Sequence, residues 1–76
     1  MISEHDRVVL TVPLPAEGLE AGDVGTVVHA YQERAAYEIE FTTLQGQTAA
    51  VVTVEAAQVR PARRHEITHA RELISR

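Results

Sequence analysis

The segment AYEIEF, residues 36–41, alternates apolar and acidic side chains without a break. At the two-residue period of a pleated strand, Tyr37, Ile39 and Phe41 fall on one face and Glu38 and Glu40 on the other, whereas a helix would scatter both sets. A chain built around it must bury one side of a sheet and wet the other. Three further β-branched runs carry the same signal. DRVVLTV, 6–12, sets Val8, Leu10 and Val12 on one side; DVGTVVHAY, 23–31, reads as a second strand in which Gly25 marks a bulge or a close backbone approach; TAAVVTV, 48–54, follows a turn at Leu44 to Gln47.

The connections fit the same plan. PLPAEGLEAG, 13–22, carries two prolines and two glycines and reads as a long loop, and Gly22 with Asp23 makes a tight turn into the second strand. EAAQ, 55–58, is long enough for one 3₁₀ turn, after which Val59 begins a last brief strand that Pro61 closes. Five short strands in so few residues predict an all-β domain over 1–61, a small five-stranded barrel whose closure would remove exposed edges. With 76 residues and no cysteine, the chain must rely on apolar packing and backbone pairing, and it has little bulk in which to sink a deep cleft.

In order and spacing, DRVVLTVPLPAEGLEAGDVGTVVHAY with AYEIEF and VEAAQVRP resembles the DUF4926 family, small bacterial proteins of uncharacterised function. GDVGTVV, 22–28, together with the long first loop and the one-turn helix before the last strand, is similar to SH3-like barrels of the KOW type. The resemblance covers about residues 6–61. It implies the SH3-like fold and brings no catalytic residues with it.

Residues 62–76 lie outside that resemblance and read as a C-terminal amphipathic helical tail. Ile67, Ala70, Leu73 and Ile74 form a stripe at helical spacing, and Glu72 to Arg76 is an i, i+4 pair in the favoured direction. The stripe would dock on the barrel or pair two copies as a homodimer. The tail also contains HEITH, 65–69, which fits the zinc-peptidase pattern. A zincin needs a third ligand, and His65, His69 and Glu72 on one straight helix span about 10.5 Å, too far to converge on one metal. The expectation is no metal centre and no cofactor, with His65 and His69 as candidates for adventitious metal capture only.

Charge decides among the remaining functions. Residues 1–61 hold nine acids against three bases, a net of −6, while 62–76 hold four arginines against two acids, a net of +2. An acidic body repels phosphate backbones and disfavours nucleic acid. The first ten residues, MISEHDRVVL, place acids where a secretory signal would have a basic region, and no apolar run is long enough to span a membrane. The expectation is a cytoplasmic, non-enzymatic protein-interaction module that presents Tyr31, Glu33, Glu38 and Glu40 to a basic protein, as an antidote or accessory partner of a basic toxin or nuclease would. A KOW-like nucleic-acid module ranks second and a zinc hydrolase through HEITH third. His29 reads as a partly buried strand residue beside Tyr31.

Overall fold

A computed structural model describes residues 2–73. Five strands appear where the alternating runs place them: β1 Arg7–Leu10, β2 Val24–Ala30, β3 Ala36–Thr42, β4 Thr48–Glu55 and β5 Val59–Pro61. They form one antiparallel sheet in the order β4-β3-β2-β1-β5. One-turn 3₁₀ segments occupy Pro15–Glu17, Gln32–Arg34 and Ala56–Gln58. The last is fixed by a reciprocal capping box between Glu55 and Gln58, in which the Glu55 amide donates to Gln58 Oε1 at 2.7 Å.

One face of the sheet is the core. Val8 and Leu10 of β1, Val27 of β2, Tyr37, Ile39 and Phe41 of β3, Val54 of β4 and Val59 of β5 pack together with Ile2 and Leu19. Ile39 sits at the centre, in register with Val27 on one side and Val52 on the other. Gly25 lies beside it on β2. A Cβ at Gly25 would run into the Ile39 and Phe41 side chains and the Glu40 carbonyl, so the strand needs glycine here for close approach. The bulge itself falls two residues on, between Val27 and His29. It swings His29 out to solvent, which corrects the expectation of a partly buried histidine.

Two further expectations are corrected. The sheet is open, because β5 pairs with β1 and no ladder joins it to β4 among the described residues. With three residues and a proline that has no N–H, β5 has little to offer a second neighbour. The loop between β1 and β2 covers the core instead: Leu14 and Leu19 pair across it, and Leu19 is buried.

The C-terminal helix is also absent among the described residues, as 62–73 contain a single turn at Arg64–His65 and no helix. A helix so short carries a nucleation cost that only docking of its apolar stripe would offset. Ile67 is 92% exposed, so no such docking occurs. A homodimer built on that stripe loses its element. Ile74, and Arg76 of the Glu72–Arg76 pair, lie outside the described residues.

Candidate partner-binding face

Strand register fixes what the outer face of the sheet presents. Across β4, β3 and β2, Thr53, Glu38 and His29 form one row. Val51, Glu40 and Thr26 form the next, which continues to Arg7 of β1. Glu38 and Glu40 therefore project side by side, two residues apart on one strand. The Tyr31 hydroxyl donates to Glu38 Oε1 at 3.2 Å, and the Thr48 hydroxyl donates to Glu40 Oε2 at 2.5 Å. The His29 and Tyr31 rings meet in a T-shaped arrangement with 4.5 Å between centroids, and His29 Nδ1 is 3.5 Å from Glu4.

Glu33 stands apart from that pair, at the tip of the β2–β3 connection. It lines an open depression of about 450 Å³ with Ser3, Glu4, Ala30, Tyr31 and Arg34. Glu33 and Arg34 both hold left-handed backbone, at φ 63° and 55°. Each costs about 1–2 kcal/mol in a residue that has a Cβ. Arg34 offsets part of this by donating to the Ile2 carbonyl at 2.7 Å, which ties the amino-terminal segment to the turn. Tyr31 thus links the turn to the strand carboxylates, and Glu4, not singled out from the sequence, joins the same acidic surface.

The other half of the outer face is covered by the chain's own tail. Val9 of β1 points away from the core yet is only 6% exposed. Residues 62–73 pass beside it as an irregular strap with a turn at Arg64–His65, Ala62, Glu66, Ile67 and Thr68 bordering the same space as Val9, and the strap is held at two ionic clamps. At the first, Arg60 of β5 donates to both Glu66 oxygens at 3.0 and 2.6 Å, and the Arg63 amide donates to Glu66 at 2.6 Å. At the second, Arg71 forks onto Asp23, with Nε donating to Oδ1 at 2.9 Å and Nη2 to Oδ2, and Nη2 also reaches the Gly18 carbonyl at 3.1 Å. The excess of acid in the body and of base in the tail signals the Arg71 contact but not the Arg60–Glu66 pair, whose polarity is reversed, and only the fold selects Asp23 from nine carboxylates.

These clamps shift titrations. The Arg60 hydrogen bonds, helped by the Arg63 amide, hold the Glu66 carboxyl down at about 2 against an ordinary 4.5. Burial pushes Asp23 up, but the Arg71 hydrogen bond, the Glu20 amide and the Arg71 charge outweigh it and leave Asp23 below its usual value. Depressed carboxylates stabilise the folded form above their unfolded pKa, and that contribution is lost as pH falls through the folded value. The Arg60 clamp is therefore expected to hold down to pH 4.5 and to release as pH approaches about 2. Carboxyl chemical shifts of Glu66, followed with the 62–73 amides, check this. Titration of Glu66 at 4.5 with no change in the strap would contradict it.

The histidines of HEITH are not gathered with a third ligand among the described residues. Glu66, which would be the general base, is bound to Arg60, and His65, in a turn, and His69 are both exposed. Among the described residues no group of three His, Asp or Glu side chains is placed to hold a metal ion. No helix among them is long and apolar enough to cross a membrane.

The fold and its surfaces define a small all-β protein with an open antiparallel sheet, one face core and the other divided between an acidic half and a strapped half. The chain belongs to the DUF4926 family, a domain of unknown function, whose family model matches residues 4–61. That match takes in every strand and stops where the strap begins. No curated protein and no solved structure matched the chain.

Proposed function

We propose that this protein is a non-enzymatic interaction module whose acidic outer face docks a basic protein, as an antidote or accessory subunit of a basic toxin or nuclease would in a bacterial cytoplasm. The observation that carries this reading is the pair Glu38 and Glu40 on the half of the sheet that the tail leaves open, with Tyr31 hydrogen-bonded to Glu38. An aromatic ring flanked by carboxylates suits a basic surface, because the ring supplies contact area and the charges steer encounter and reject acidic competitors. The strand order, with a long first loop and a 3₁₀ turn before β5, is compatible with an SH3-like fold whose sheet stays open, and that is the fold description we favour.

The test is reversal of the two charges. With Glu38→Lys and Glu40→Lys together, affinity for a captured basic protein is expected to fall by at least about tenfold, mainly through slower and less salt-sensitive association. Undiminished capture would place the partner surface elsewhere. Recovery of RNA with steeply salt-dependent micromolar affinity would favour the KOW-like reading instead.

A further inference from the structure

We infer that the bare edge of β4 is where the basic partner enters: an extended segment that alternates basic and apolar residues adds to the sheet as a further antiparallel strand, its basic side chains lying over Glu38 and Glu40. This rests on the acidic face proposed above and names the form of what that face receives. The two edges of the sheet are unlike. β5 has three residues and ends in Pro61, the short, proline-bearing form that blunts an edge. β4 runs eight residues, TAAVVTVE, with no lysine, no proline and no charge before Glu55. Its register break lies opposite Phe41 and Thr42, so the stretch from Ala50 to Glu55 is regular. Among the described residues no strand pairs with its outer side.

The phase of the hydrogen bonds tells which groups stand open there. The Ala56 amide donates to the Ala35 carbonyl at 3.0 Å, so Ala56 turns its backbone towards β3. Backbone direction alternates along a strand, which gives Val54, Val52 and Ala50 the bonds to Tyr37, Ile39 and Phe41 opposite them. Val51 and Thr53 then turn amide and carbonyl outward, and both residues are exposed. The Glu55 amide, in the same phase, is taken by Gln58 Oε1 at 2.7 Å, which ends the open run.

The two faces beside this edge dictate the occupant. In an antiparallel pair, residues that exchange hydrogen bonds stand opposite each other on one face. Residues opposite Val51 and Thr53 therefore extend the rows that lead to Glu40 and Glu38, two strand spacings or about 10 Å away. Val51 and Thr53 are short enough for an arginine or lysine to lie across them and meet those carboxylates. The intervening residues of the incoming strand fall on the core side, against the half-buried Ala50 and Val52 at the margin of the core, and are apolar. A second copy in that place would bring one acidic body against another, and the net of −6 over residues 1–61 opposes it.

The full chain is titrated with an end-blocked synthetic peptide of alternating arginine and valine, and exchange of the β4 amides is followed by NMR. Saturable binding is expected, with the Val51 and Thr53 amides open to exchange in the free protein and slowed at least about tenfold at saturation. Methylating the arginine amide nitrogens, which face the edge, is expected to weaken binding at least about tenfold, whereas methylating the valine nitrogens, which face away, leaves it within about twofold. These peptides test the edge with the protein unaltered. Glu38→Lys with Glu40→Lys is expected to weaken the unmethylated peptide at least about tenfold. Loss on charge reversal with indifference to methylation would overturn the edge and leave the acidic face standing. The methylation pattern with indifference to charge reversal would overturn the basic occupant, and the acidic face with it. Protection of the Val51 and Thr53 amides by raised protein concentration alone would put a second copy at the edge and overturn the proposal, as would no saturation at millimolar peptide.

Discussion

Replacement of Ile39 by alanine is expected to destabilise the protein by about 4 kcal/mol, within the range of 2–5 kcal/mol for truncating a buried isoleucine. Ile39 is wholly buried at the middle of β3, between Val27 and Val52, so neighbours held in two ladders cannot collapse into the space. A chain of this size has roughly 4–11 kcal/mol of total stability. The variant should therefore be largely unfolded at moderate urea, with a denaturation midpoint far below wild type and an unchanged slope. Urea unfolding followed by circular dichroism measures it. A loss below about 1 kcal/mol would mean that β3 is not the centre of the core.

The opposite error, an added methyl, is expected to cost nearly as much. Alanine at Gly25 would place its Cβ against Ile39 and Phe41 and 3.0 Å from the Glu40 carbonyl oxygen. The side chains can turn only by leaving their rotamers, and the carbonyl belongs to a strand paired on both sides. Overpacking of this kind costs about 1–3 kcal/mol, and the backbone neighbour puts Gly25→Ala at about the upper end. The fall in melting temperature should be on the order of 12–24 °C. A cycle with Ile39→Leu, which lacks the β-branched methyl nearest the new atom, should show coupling between the sites. Strict additivity, or a melting temperature unchanged in Gly25→Ala, would contradict the close approach.

What could be read from the sequence follows from which interactions are local. AYEIEF announced its buried and wet faces because alternation is a property of neighbouring residues, and Tyr37, Ile39 and Phe41 are buried while Glu38 and Glu40 are not. The turns at Gly22 and Gly46 and the 3₁₀ turn at Ala56–Gln58 were legible for the same reason. Val9 was not, since its period assigns it to solvent and it is buried beside residues more than fifty positions downstream.

The tail was misread because Ile67, Ala70 and Leu73 have helical spacing, and spacing cannot show whether anything lies beneath the stripe. Clamps from Glu66 to Arg60 and from Arg71 to Asp23 hold a non-helical chain, and the second joins residues 48 apart in sequence. The bulge at Val27 and His29, and the left-handed pair Glu33 and Arg34, carry no glycine or asparagine to announce them. The candidate face was legible as far as the Glu38 and Glu40 alternation reached. The placing of Glu4, His29 and Tyr31 around it needed the register.

The most direct measurement of how the open half of the sheet is used is zero-length coupling of carboxylates to lysine amines in the assembled complex, read by mass spectrometry. Coupling of partner lysines concentrated at Glu38 and Glu40, with Glu33 and Glu4 at the margin and Glu17 unreacted, is the expected result. Coupling centred on Glu17 or Glu55 while Glu38 and Glu40 stay unmodified would contradict it, as would a complex whose other component is nucleic acid.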